Sequence, residues 1–231
     1  ITSTVGTDAR YEVRVIDLSH RATAGWKVEP LVSGFENDWR LVDGMGRKLW
    51  FVTNWQAPRY RLMAIDLDAP DRSWHELIAE QPDTLQRAKI IGNKLLVTYL
   101  KDASSRAYAY DLGGKPTQSI ILRDIGTASG FKGRPGDPET FYSFTSFNQP
   151  SAVYRLDMAT GKTEPFAEPA LSFDPRAYVI DQRFFRSKDG TRVPMFIVRK
   201  KAIAAAGKPV PTLLYGYGGF DVSQTPSFSS T

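Results

Sequence analysis

A unit of about 46 residues recurs through the first three quarters of this chain, and such self-similarity restricts the possible architectures to a few. Arg10-Tyr11-Glu12-Val13-Arg14-Val15-Ile16-Asp17-Leu18 resembles Arg59-Tyr60-Arg61-Leu62-Met63-Ala64-Ile65-Asp66-Leu67 along its whole length, and shorter copies stand at Tyr108-Ala109-Tyr110-Asp111-Leu112 and Tyr154-Arg155-Leu156-Asp157-Met158. The aspartates fall at 17, 66, 111 and 157, in steps of 49, 45 and 46 residues. An apolar strand precedes the last three copies, at Leu49–Thr53, Leu95–Tyr99 and Phe141–Thr145. A second short strand follows all four, at Trp26–Val28, Trp74–Ile78, Ser119–Leu122 and Lys162–Phe166. Strand, hairpin, strand ending in Asp, turn and strand make up most of a four-stranded blade, and the period suits propeller blades of about 40 to 50 residues.

Each aspartate reads as a turn-former whose carboxylate accepts backbone N–H groups where the strand ends. A metal role is rejected, since one carboxylate per blade is spread around a wheel and does not converge. The first copy lacks the strand that precedes the others. Four units with an incomplete first would leave bare strand edges, which folded proteins cover or pair, so part of the wheel is expected to lie outside this sequence.

Composition removes several classes of chemistry. There are no cysteines among the 231 residues, which excludes disulfides, thiolate metal sites and a cysteine nucleophile, and leaves the compartment open between cytoplasmic and exported. The net charge of +5 is scattered, without the clustered patch that nucleic-acid binding asks for. Apolar runs are too short for a membrane-crossing helix, and the first residues carry no signal-peptide pattern. His20, in a polar stretch, and His75, in a strand, read as structural or solvent-facing. Neither has a partner at motif spacing.

The period lapses after Pro175. Arg183–Ser187 and Val193–Val198 flank Lys188-Asp189-Gly190-Thr191, a hairpin signal in which Gly190 supplies a positive φ. Pro194 places the second strand at an edge or leaves that position unpaired. Ala202–Lys208 reads as an alanine-rich linker or loop. Pro209–Tyr215 reads as a buried strand running into Gly216-Tyr217-Gly218-Gly219-Phe220, whose three glycines let the backbone turn tightly and approach a ligand. A phenol is a protonated donor at neutral pH and can stabilise an oxygen that becomes negative in acyl transfer. Tyr217, between glycines at the end of a strand, suits that task; the alternative is a turn that merely packs.

Leu213-Leu214-Tyr215-Gly216-Tyr217-Gly218-Gly219-Phe220, followed by Thr225-Pro226-Ser227-Phe228-Ser229, closely resembles the start of the hydrolase domain in the prolyl oligopeptidase family of serine peptidases. Ser187–Val198 looks like the strand pair through which that family's chain leaves its propeller, and Phe144-Thr145-Ser146-Phe147 and Tyr60-Arg61-Leu62 resemble its later blades. The resemblance implies a mainly β chain: part of a seven-bladed β-propeller, about four blades with the first incomplete, over residues 1–177, then the first strands of an α/β-hydrolase domain over 178–231. It puts Tyr217 at the oxyanion-hole position and Phe220 in an aromatic pocket for proline on the acyl side of the cleaved bond. It implies short proline-containing peptides as partners, together with the remainder of the same polypeptide, and no cofactor or metal.

The nucleophile elbow Gly-x-Ser-x-Gly is absent. Gly126-Thr127-Ala128-Ser129-Gly130 carries its serine one position late and lies within the repeats. The resemblance therefore implies a Ser-Asp-His triad beyond Thr231 and a chain inactive alone. A propeller-type binding module without catalysis, and a related oligopeptidase that cleaves after basic residues, are the competing readings. Phe220 argues against the second of these.

Overall fold

The computed structural model of the chain describes residues 1–18, 26–220 and 222–229. His20 lies outside the described residues.

Strands dominate, and they gather into four consecutive antiparallel sheets and a terminal hairpin. The first sheet is three-stranded, with β1 (Thr2–Ser3), β2 (Glu12–Ile16) and β3 (Val28–Val32) in that order. The second holds β4 (Trp39–Met45), β5 (Lys48–Thr53), β6 (Arg61–Asp66) and β7 (Trp74–Ile78). The third holds β8 (Thr84–Ile91), β9 (Lys94–Lys101), β10 (Ser104–Tyr110) and β11 (Pro116–Ile120), and the fourth β12 (Thr127–Lys132), β13 (Glu139–Ser146), β14 (Gln149–Asp157) and β15 (Thr163–Ala167). Each sheet is a simple meander, so the repeat in the sequence is a repeat of structure.

Burial shows why the middle strands read as continuous apolar runs. Side chains alternate across a strand, and a sheet stacked on both faces must be apolar on both. In β5, Trp50 and Val52 join Leu62, Leu95 and Val97 in the core between the second and third sheets, while Phe51 joins Val13, Met63 and Ile65 between the first and second. In β9, Leu96 turns the other way, to Phe144, Leu156 and Met158 between the third and fourth. Three cores thus separate four sheets stacked face to face. The first strands β4, β8 and β12 approach one another at one edge, as the inner strands of adjacent propeller blades do.

Tight turns set the spacing between blades. The β8–β9 turn has Gly92 at φ +59° and Asn93 at φ +55°, the left-handed pair of a two-residue hairpin. A Cβ on Gly92 would come within 2.7 Å of Met158 Cβ in the next blade, so the turn needs glycine for its backbone and its packing alike. The Lys94 ammonium fastens the same junction, donating to the Met158 carbonyl at 2.7 Å.

The repeat aspartates occupy matching places at the ends of β2, β6, β10 and β14. Asp66 accepts the Asp68 amide, Asp111 the amides of Gly113 and Lys115, and Asp157 the amide of Thr160, each at 2.7 to 2.9 Å. Asp17 takes the Arg47 guanidinium of the next blade at 3.1 Å. His75 lies in β7 with its side chain exposed, 3.3 Å from the Ser73 hydroxyl.

Three expectations change. The first copy does have a preceding strand, the two-residue β1, whose Thr2 pairs with Val13; it is too short to leave a sequence pattern. Its following strand begins at Val28 and runs to Val32, so Trp26 and Lys27 precede it. The alanine-rich stretch forms a short helix, α1 (Lys201–Ala206), because alanine favours helix and Gly207 at φ +62° supplies the left-handed cap. Among the described residues no helix is long and apolar enough to cross a membrane.

Candidate functional site

Beyond the fourth sheet, a 3-10 turn at Pro175–Ala177 begins the last quarter. Asp174 caps it by accepting the Arg176 amide at 2.9 Å, and the Arg176 guanidinium, with that amide, holds the Asp174 carboxyl below its usual range. The hairpin of β16 (Tyr178–Arg186) and β17 (Arg192–Lys200) follows, paired among the described residues only with itself. Pro194, opposite Phe184, therefore costs no ladder to a third strand. Gly190 turns at φ +85°, and Asp189 accepts from the Ser187 hydroxyl and the Thr191 amide. Those donors bring the Asp189 carboxyl down to about 2.

This hairpin is moored to the hairpin tips of the third and fourth sheets. Gln182 donates to the Asp102 carbonyl at 2.6 Å, Arg192 meets the Asp102 carboxylate at 3.3 Å, and Asn148 donates to the Pro175 carbonyl at 3.0 Å. Phe147 and Phe196 add an aromatic contact, their ring centres 5.3 Å apart. The segment around Thr225–Ser229 lands on the same end of the fourth sheet. The Thr127 hydroxyl donates to the Pro226 carbonyl at 2.7 Å, the Phe228 amide donates to the Thr145 hydroxyl at 3.2 Å, and Pro226 is buried. A cavity of about 430 Å³ remains beneath it, lined by Phe147, Phe173, Tyr178, Val198 and Phe228 among others.

Between these moorings the chain from Gly207 to Gly218 carries no regular secondary structure. Pro209–Tyr215 was expected as a buried strand, and it is neither: Leu213 is 91% exposed, with Leu214 and Tyr215 nearly as open. A strand needs neighbours to satisfy its backbone and cover its side chains, and no described strand lies beside it.

Among the described residues one backbone bond holds the glycine loop, from the Val222 amide to the Gly219 carbonyl at 3.2 Å. Tyr217 is half-exposed, its ring folded back over Gly219. Phe220 stands at φ +55°, a conformation that disfavours a side chain, and it is 93% exposed. Tyr217 and Phe220 therefore share one short loop, and neither lines the 430 Å³ cavity. The sequence reading singles out both residues. It misses the moorings Asp102, Thr127, Thr145 and Phe173, which carry no local signal because their partners are 55 to 99 positions away.

Stacked meander sheets with their inner strands together define a chain that carries consecutive blades of a β-propeller. A sequence model of the prolyl oligopeptidase N-terminal β-propeller domain matches residues 1–169. The chain belongs to the prolyl oligopeptidase family.

It is 38% identical to a prolyl endopeptidase of Elizabethkingia miricola over 87% of this chain and 28% of that protein. It is 35% identical to a prolyl oligopeptidase of Omphalotus olearius over 94% and 30% respectively. A solved prolyl endopeptidase, from work on inter-domain dynamics, superposes at a TM-score of 0.80 with 44% identity, covering 99% of this chain and 33% of that one. Prolyl oligopeptidase B of Galerina marginata, bound to a 35mer hydrolysis and macrocyclisation substrate, superposes at 0.83 with 26% identity, covering 96% and 32%. The chain thus spans about a third or less of each of these relatives.

Proposed function

We propose that this chain is the later propeller blades, residues 1–177, and the opening strands of an α/β-hydrolase domain, residues 178–231, of a serine peptidase that cleaves short peptides on the carboxyl side of proline. The observation that carries it is the Tyr217–Phe220 loop, where a half-exposed phenol and an almost fully exposed aromatic ring share one short segment and Phe220 holds a left-handed backbone. Strained backbone displaying an exposed ring is a feature of ligand sites. Relatives named as prolyl endopeptidases support the substrate class.

In this reading a serine hydroxyl supplied beyond Thr231 attacks the carbonyl carbon after proline. The new C–O bond places negative charge on the carbonyl oxygen, and Tyr217 Oη–H donates to it alongside a backbone N–H. Collapse breaks the C–N bond, the amine leaves with the proton taken from serine, and water then hydrolyses the ester. Phe220 packs against the flat pyrrolidine ring. The exposed Leu213–Tyr215 then becomes a sheet strand once the rest of the hydrolase domain lies beside it.

The test compares two proteins. The full-length polypeptide should release chromophore from a proline-containing peptide and lose that activity to a serine-directed inhibitor, whereas purified 1–231 should release none. Inhibitor-sensitive turnover by 1–231, or a full-length protein that binds peptides without cleaving them, would overturn the reading, the latter in favour of a binding module. Preference for a basic residue at the same position would replace the proline pocket with a basic-specific one.

A further inference from the structure

Gly219 has a use that its backbone torsion does not explain. Its φ lies outside the left-handed range, so the chain there could carry a side chain without strain. The phenol stands in the way: a Cβ at 219 would come within 3.0 Å of Tyr217 Oη and 3.2 Å of Cζ, so the tyrosine side chain would have to shift by a few tenths of an ångström to admit it. The three nearest atoms to that position all belong to the Tyr217 side chain. Gly216 and Gly218, on either side of Tyr217, have open space where their Cβ atoms would be. Of the three loop glycines, only 219 is occupied by the phenol.

We propose that Gly219 is a positioning residue for the Tyr217 hydroxyl. The missing side chain forms the seat into which the phenol folds, and the Val222-to-Gly219 backbone bond fixes that seat. This rests on the oxyanion role proposed for Tyr217. A hydrogen-bond donor works only when aimed at the developing charge to within a fraction of an ångström, so a methyl group at 219 acts on the rate and not on substrate binding.

The test is a double-mutant cycle on kcat and KM in the full-length peptidase, with Gly219→Ala, Tyr217→Phe and the pair, each checked by thermal melting. Gly219→Ala should lower kcat by about tenfold or more with KM and melting temperature little changed. In the Tyr217→Phe background the same substitution should cost almost nothing, because the hydroxyl it misplaces is already gone. A Gly219→Ala protein with unchanged kcat, or equal losses in both backgrounds, would overturn the seat while leaving the Tyr217 role standing. A Tyr217→Phe protein with full turnover would overturn both.

Discussion

The rings of Phe173 and Phe228 stack with centres 5.6 Å apart and planes 6° from parallel, joining the segment that leaves the fourth sheet to the segment that follows the glycine loop. Fifty-five positions of chain, carrying the β16–β17 hairpin, α1 and Tyr217, are closed into one loop by that contact and by the Thr127 and Thr145 bonds beside it.

Phe228→Ala should therefore loosen the tail and spare the blades. Hydrogen exchange at the Phe228 amide, now bonded to the Thr145 hydroxyl, should speed up, while amides of β9 and β13 keep their protection. Equal loss of protection across the blades would mean that the tail is part of the propeller's own cooperative unit.

Gly92→Ala should destabilise the junction of the third and fourth blades. The left-handed turn costs an L-residue roughly 1 to 2 kcal/mol, and the added methyl meets Met158. A fall of several degrees in melting temperature is expected for a chain of this size. An unchanged melt would show that the turn relaxes freely.

Asp189 supplies a pH test. Its carboxyl is held down to about 2 from 3.8 by the Ser187 hydroxyl and the Thr191 amide, so its contribution to the hairpin is present above pH 3.8 and is lost as pH falls toward 2. Carboxyl carbon chemical shifts followed by NMR should give a midpoint near 2 for Asp189. A midpoint at the ordinary carboxylate value would mean that those bonds do not persist in solution.

The repeat is legible because the second strands of the later blades, such as β5 and β9, are near-continuous apolar runs and the turn aspartate recurs. The inner strands β4, β8 and β12 escaped notice for a physical reason. Each carries a register shift, between Leu41 and Asp43, Leu85 and Arg87, and Gly130 and Lys132, and a bulge breaks the two-residue alternation. β8 and β12 also turn polar side chains, Gln86 and Ser129, out to solvent, which dilutes the apolar signal. The Gly92-Asn93 turn was a usable clue to β8. Tyr217 stands out locally between glycines and Phe220 through the resemblance of its motif, whereas the place of Gly219 under the Tyr217 side chain depends on where that ring folds.

Phe220→Ala in the full-length protein should weaken proline substrates by about 1 to 3 kcal/mol through lost apolar contact, appearing in kcat/KM. Its stability should hold or rise, since alanine gives up no packing at a side chain exposed to 93%. Unchanged kcat/KM would remove Phe220 from the pocket.

The phenol of Tyr217 is the centre of the account, and Tyr217→Phe in the full-length peptidase removes its donor while keeping its ring. Loss of one oxyanion donor costs about 2.7 to 4 kcal/mol, so kcat should fall roughly a hundred- to a thousandfold with the melting temperature intact. Turnover equal to that of the unsubstituted protein, with a lowered melting temperature, would make Tyr217 a structural residue and contradict the catalytic reading of the loop.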